Sequence, residues 1–549
     1  MNRNHRIFNE SIPRRTLILS ALAVAFCVFM AYLPVLGAGW VYDDVNIVKP
    51  SPALKDFSGL VQAISTDLYS QAAPRLEASP YWRPLALTSM WLDTRFANAP
   101  FILHAGNVFL HSLSTLLLVL VLMRGRRNKG KSAIIAACMA AVWWGLHPQN
   151  VEAVAWISCR YDLLCAVALL CLLILRWRSD SPRTILYGIV FLAGLLSKES
   201  FLFVVLVAVV LDIVDRQPVR FTASRWLAVA GAITLWVTVR GIIGLKGLDT
   251  PTLPEILTIL RVYPDTIGIY FGRVIPFVSL TISHPYAPGG MGVHTIVGII
   301  VFVVLVAASI KFRRLGVASA IFLSGLIPAA GAMVMFHEAP ERYLYVPSIG
   351  LAHILGELLF AALPFIRSVG PMSKASAASV KGTLSAGVCV AVGLTVVIGI
   401  FRLEGRLPDW HSDYTLWTAA LRVDPRDPQA NFNVGVAAGR RGNWDEALRA
   451  IALAAQGDPN SGRIANAYTW ALLRTGDFNS AVRQARHAAE VAPYQPDCWY
   501  YLAFSLYKIE DHAGVKAAVE KLLQIAPNYP GAREMFEIAN RETSPQPLR

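Results

Sequence analysis

Charge is scarce in this chain, and reactive thiol patterns are scarcer. Only 16% of its 549 residues are charged and 55% are hydrophobic, with a mean hydropathy of +0.48. Soluble domains carry about 25% charged residues, so the shortage excludes an ordinary soluble globule and makes the bulk of the chain an integral membrane protein. The seven cysteines include no CxxC pair, and Cys27, Cys138, Cys165, Cys171 and Cys389 sit inside apolar runs. They read as small core hydrophobes, which argues against a disulfide framework or a thiolate metal site. A Walker loop, a GxGxxG after a strand, an HExxH and a GxSxG elbow are all missing. Soluble nucleotide chemistry therefore has no cradle here. The net charge of +14 is no nucleic-acid footprint, because the basic residues form short clusters between apolar runs.

What the sequence does have is long apolar runs. A span needs roughly 17–25 mainly apolar residues, and runs of that kind fall near 16–36, 101–123, 132–148, 160–176, 184–199, 200–215, 226–245, 293–311, 316–336, 344–366 and 382–402. The first, Leu17 to Leu36, has no small-residue cleavage site and reads as a span rather than a cleavable leader. Basic clusters at Arg3/Arg6/Arg14/Arg15, Arg124/Arg126/Arg127/Lys129/Lys131, Arg176/Arg178/Arg183, Arg216/Arg220/Arg225, Lys311/Arg313/Arg314 and Arg367/Lys374/Lys381 all fall on one side if eleven spans start from a cytoplasmic N-terminus. The segment Ile256 to Pro276 breaks that phase if it crosses. With Arg261, Asp265 and Arg273 along it, it reads as an interfacial or partly re-entrant helix on the outer side.

Hydropathy drops after Arg402. Pro425, Pro459, Pro493 and Pro527 recur every 34 residues, the period of the tetratricopeptide repeat. Gly442 and Gly476 hold the inter-helix turn, while Ala447 and Ala481, then Ala454 and Ala488, repeat the small crossing positions. The expected architecture is all-α: a polytopic membrane helical bundle over 1–402, then a soluble α-solenoid over 403–549. The solenoid has about three repeats after a half-repeat at 412–424, and offers a groove for extended peptide.

Parity gathers the ionisable residues on the outer side, where such groups are functional unless paired. The first outer loop, 37–100, carries Asp43 and Asp44 in GWVYDDVNIV and Arg83 in YWRPLA. Arg83 serves equally as an anion ligand or a loop anchor. In HAGNVFLH, His104, Asn107 and His111 share a helix face and read as a hydrogen-bonded seam. HPQNVEAVAWISCRYDLL brings His147, Glu152, Arg160 and Asp162, either an ion-pair network fixing a hairpin or the wall of a site. SKES places Lys198 and Glu199 at a tight turn, a compact cation with a carboxylate to orient it. HEAPERYLYVPSIG offers Arg342 flanked by Tyr343, suited to a phosphate on a lipid tail because the guanidinium forks onto its oxygens.

These segments carry a family likeness. VYDD after the first span, YWRPL, HAGNVFLH, HPQNVEAVAWISCRYDLL, SKES, APERYLYVPSIG, DWHSDYTLW and the repeats with NFNVG together resemble the transmembrane and tetratricopeptide-repeat O-mannosyltransferases and their bacterial relatives, of the GT-C class of lipid-phosphate-sugar glycosyltransferases. The chain departs from the pattern in having SKES where the family commonly runs Lys-Glu-Gln, and in having only about three repeats. The resemblance implies transfer of a sugar, such as mannose, from a polyprenyl-phosphate donor in the bilayer to Ser or Thr of an exported protein presented by the repeats. It further implies inversion at the anomeric carbon, with the acidic pair Asp43 and Asp44 at the catalytic centre. Asp43 would be the base and Asp44 its support, while Arg342 and Lys198, then Arg83 and Arg160, stabilise the leaving phosphate. Adjacent carboxylates would also serve a divalent cation, although nothing in the sequence indicates one. Compact loops favour a bacterial inner membrane with the repeats in the periplasm; in a eukaryote the same side is the lumen. Two rival readings stay open: a glycan transferase of the O-antigen-ligase type, and a non-enzymatic scaffold with a docking solenoid.

Overall fold

The computed structural model describes residues 13–68, 80–124, 130–176, 183–215, 219–245, 252–275, 277–287, 289–366 and 377–543. Arg3, Arg6, Arg126, Arg127, Lys129, Arg178, Arg216, Arg367 and Lys374 of the basic clusters lie outside them. Among the described residues the fold is helical, with a single isolated antiparallel bridge between Pro285 and Glu338. Two compact units divide between Ser412 and Asp413.

In the first unit every apolar run of the sequence is helical. Seven helices among the described residues are long and apolar enough to cross a membrane: Arg14–Ala31, Phe101–Met123, Ile157–Arg176, Thr222–Ile242, Val293–Lys311, Arg313–Phe336 and Ala386–His411. Lys131–Gly145, Arg183–Ser197 and Pro347–Leu363 are shorter apolar helices. The run read as 200–215 starts with a tight turn at Glu199–Phe203 and leaves a helix of only 12 residues, Val204–Asp215. The amphipathic segment is one continuous helix, Leu253–Gly272. Small residues let it approach its neighbour closely. A Cβ at Gly268 would stand 1.9 Å from the His294 carbonyl oxygen, and one at Gly298 would stand 1.8 Å from that of Pro264, so only glycine permits this crossing.

The bundle interior is not uniformly apolar. Along Phe101–Met123 a buried polar seam includes His104, Asn107 and His111. His104 Nε2 lies 3.2 Å from the Gly39 carbonyl oxygen. The Asn107 amide donates to Val154 and Trp156 carbonyls, and His111 bridges the Tyr345 hydroxyl and the Gly145 carbonyl. Buried polar groups paired in this way fix one register among helices that lipid would otherwise let slide, although the His104 Nδ1 is left without a partner among the described residues.

The second unit packs helix pairs Pro428–Arg440/Trp444–Gly457, Gly462–Thr475/Phe478–Val491 and Pro496–Lys508/His512–Ile525, preceded by Asp413–Val423 and followed by Ala532–Thr543. Asn443, Asp477 and Asp511 cap the second helices by accepting from Glu446, Ser480 and Gly514 backbone N–H groups. Caps at a 34-residue interval satisfy the same orphan donors in each repeat. Ala447, Ala481 and Val515 are fully buried at the crossing point.

Candidate functional site

The loop after the first helix is anchored at both ends of its acidic stretch. The Gly39 N–H donates to the His411 carbonyl oxygen at 2.9 Å. Tyr42 has φ +53, a left-handed backbone that costs a non-glycine residue about 1–2 kcal/mol. Such strain turns the chain so that Asp43 and Asp44 have different surroundings. Asp44 is fully buried and accepts from the Ser158 N–H at 2.9 Å, the Ser158 hydroxyl at 2.6 Å and the Ile157 N–H at 3.3 Å. Burial pushes its carboxyl up to about 7, against the pull of those hydrogen bonds and with a smaller push from Asp43. Asp43 is only half-buried and lines a small cavity together with Arg83, Ser158 and Tyr161. Asp44 is thus held by three hydrogen bonds to one turn, and its neighbour Asp43 lines the cavity.

Cations and aromatic rings alternate away from that cavity. The Arg83 guanidinium lies 3.9 Å from the Tyr161 ring centre. The Lys198 ammonium is 5.1 Å from the same ring and 5.0 Å from Tyr343. Arg342 follows, 5.6 Å from Tyr343 and 4.9 Å from Trp156, and Trp156 packs on Tyr42 at 5.2 Å. Each contact of this kind is worth about 0.5–2 kcal/mol. A second small cavity has Asp162, Lys198, Arg342 and Tyr343 in its wall, so Tyr161 touches the cations of both spaces.

Every one of these cations also has a carboxylate. Arg83 pairs with Glu199 at 3.3 Å, Lys198 with Asp162 at 2.7 Å, and Arg342 with Glu152 at 2.8 Å. Burial opposes charge on Lys198 and Arg342. The Asp162 carboxylate outweighs it for the former and Glu152 for the latter, so both cations are held above their ordinary pKa values. Glu199 thus serves Arg83 and the Trp82 N–H, and the carboxylate beside Lys198 is Asp162 from another helix. Neither Glu152 nor Asp162 pairs with Arg160. The fully buried Arg160 instead donates to Asp93, Asn107 and the Leu103 carbonyl, away from both cavities. His147, whose pKa burial lowers to about 4, lies 3.1 Å from the Val274 carbonyl oxygen. Among the described residues no three His, Cys, Asp or Glu side chains gather closely enough to hold a metal ion.

Sequence reasoning passed over several members. Tyr42, Trp156 and Tyr161 flank singled-out residues, yet nothing in their local pattern marks them as stacking partners. Glu341 is a hub: it accepts from Arg406 at 2.8 Å and lies 3.1 Å from His284. Burial opposes its ionisation, but Arg406 and His284 outweigh this and hold the carboxyl down to about 2. The turn bearing Arg342 and Tyr343 is therefore tied to two other segments.

An all-helical membrane unit carrying an acid beside stacked, ion-paired cations, followed by helical repeats, defines the class of protein. A tetratricopeptide-repeat family model matches residues 415–462. The chain is similar to protein O-mannosyl-transferases over most of its length. It is 22% identical over 463 residues to Protein O-mannosyl-transferase F38B6.6 of Caenorhabditis elegans, covering 81% of this chain and 63% of that protein. It is 23% identical over 495 residues to Protein O-mannosyl-transferase TMTC3 of Homo sapiens, covering 80% and 51%. A shorter stretch of 211 residues is 30% identical to Protein O-mannosyl-transferase Tmtc2 of Drosophila melanogaster, covering 35% and 22%. The chain thus spans less than two thirds of each of these relatives.

Proposed function

We propose that the chain is a membrane glycosyltransferase that moves a sugar, mannose by the names of its relatives, from a polyprenyl-phosphate donor to a Ser or Thr hydroxyl of an exported protein. The observation that carries the reading is the contrast within the acidic pair: Asp44 is consumed by three hydrogen bonds while Asp43 faces the cavity that Arg83 and Tyr161 line. In this reading Asp43 takes the proton from the acceptor hydroxyl as that oxygen attacks the anomeric carbon from the face opposite the phosphate. The carbon–oxygen bond to the phosphate breaks with inversion, and the lipid phosphate leaves with the bonding pair.

Lys198 and Arg342 are the proposed ligands of that phosphate, with Arg83 nearer the acceptor. Lys198 and Arg342 carry more N–H groups than their ion pairs use, and aromatic rings pack against both, an arrangement that would stabilise charge on the leaving group. The repeat unit would select acceptor segments. General-base catalysis contributes typically about 10²–10⁴-fold, so Asp43→Asn should cut transfer of labelled sugar from a polyprenyl-phosphate donor to membrane-associated protein by that order. The reading fails if Asp43→Asn membranes transfer as well as wild type.

A further inference from the structure

A third cavity lies apart from the Asp43 and Lys198 spaces. It is lined by Arg273 and Asp265 of the amphipathic segment, His284 and Tyr286 of the following loop, and the glycine-rich approach to Val293–Lys311. Arg273 is only 5% exposed, stacks 4.8 Å from the Tyr270 ring, and has a buried Nη1 with no hydrogen-bond partner. A guanidinium N–H left unmet in a buried wall costs about 1–3 kcal/mol or more, a deficit that a bound acceptor would remove. The 19-residue helix Val293–Lys311 begins at the same cavity. Its first-turn N–H groups have no intrahelical acceptor, and its dipole favours an anion. The one carboxylate among the described lining residues, Asp265, is already engaged by the Tyr286 and Thr295 hydroxyls.

The ligand's charge and shape follow from these groups. One guanidinium with an unmet Nη1, already sharing its field with Glu341, and a helix N-terminus against the lining carboxylate suit a single negative charge better than a dianion. The two helices bordering the cavity present apolar residues outward: Leu257 and Leu260 on one, and Val293, Ile296, Ile300 and Val303 on the other. An acceptor that brings its own hydrocarbon would cover that surface. We propose that this cavity binds the phosphodiester headgroup of a bilayer phospholipid, with Arg273 forked on the phosphate and the acyl chains along Val293–Lys311. Binding there would brace the loop that joins the Glu341 hub through His284, and it is independent of whether Asp43 is a base.

The test is native mass spectrometry of the detergent-solubilised full chain titrated with phosphatidylglycerol, with inorganic phosphate as competitor. Wild type should retain one tightly held lipid that millimolar phosphate does not displace. Arg273→Gln should weaken that adduct by about tenfold or more, since a charge-assisted fork is lost. Gly290→Glu should do the same from the rim. A Cβ there meets nothing within 4 Å, so this variant keeps the test alive if Arg273→Gln misfolds. Equal retention by wild type and a folded variant overturns the proposal, and so does ready displacement by inorganic phosphate, which would make the ligand a free anion.

Discussion

The repeat unit and the polar cluster of the membrane unit are built on opposite principles. In the repeats, each structural role recurs at a fixed interval: caps at Asn443, Asp477 and Asp511, and small or β-branched residues at Ala447, Ala481 and Val515. Contacts there run between neighbouring helices, so one substitution perturbs one interface. The cluster has no period. Its ion pairs join residue 83 to 199, 162 to 198, and 152 to 342, and in each the partners come from different segments. Repetition distributes stability, whereas the cluster concentrates it in a few pairs that must all be met at once.

That difference is broken most severely at Arg160. Its buried guanidinium satisfies Asp93, Asn107 and the Leu103 carbonyl, so Arg160→Met should cost about 3–5 kcal/mol by stranding those acceptors. The loss would appear as failed extraction of folded protein, with no comparable effect from Arg449→Met in the repeats. Lys198 sharpens the distinction between structural pairing and ligand binding. Removing the ammonium alone strands Asp162, again at about 3–5 kcal/mol, while Lys198→Met combined with Asp162→Leu should restore most stability. If Lys198 binds the donor phosphate, the double variant stays deficient in sugar transfer. Recovery of both thermal midpoint and transfer would reduce the pair to a structural role.

A pH-dependent effect should follow from Asp44. Its folded pKa of about 7 lies above the unfolded value of about 3.9. Between these values the folded chain holds the proton and the unfolded chain does not, so raising pH from about 4 to about 7 erodes stability and the erosion stops above that window. One proton supplies at most about 1.4 kcal/mol per pH unit. Asp44→Asn cannot ionise and should flatten the slope of thermal midpoint against pH over that range; an unchanged slope would assign it to other groups.

Much of this was readable beforehand, and the limits have a physical basis. Helical runs and the 34-residue period are local properties of the chain, so they survive into the structure. The adjacency of Asp43 and Asp44 was visible, and the resemblance ordered their roles, but the different surroundings of the two carboxylates were not legible. They depend on the Ser158 turn, which lies 114 residues further along the chain, and on a left-handed Tyr42 that no residue-type pattern announces. Glu199 was expected to serve its neighbour Lys198, yet the extended backbone at Lys198, before the tight turn at Glu199–Phe203, sends the two side chains to different partners. Arg273 was visible only as part of an amphipathic pattern, because burial of its guanidinium is a property of the loop that folds over it.

The smallest effect tests how far repetition reaches. Gly442 and Gly476 take φ of +81 and +84 at the turns between paired helices, and the third repeat places Glu510 there with φ +63. The interval of 34 residues makes these equivalent positions, so the third turn adopts the geometry of the others without the residue that adopts it freely. Glycine relieves the left-handed strain but adds unfolded-chain entropy. Relief outweighs that cost, because the left-handed backbone charges a side-chain-bearing residue about 1–2 kcal/mol. Glu510→Gly should therefore stabilise the third repeat by about 0.5–1 kcal/mol, and Gly476→Ala should destabilise the second by a similar amount. Pulse proteolysis of the full chain in urea, scored on fragments from the repeat unit, would register both shifts. If Glu510→Gly lowered the midpoint instead, the glutamate side chain would be holding the turn through contacts that matter more than backbone strain.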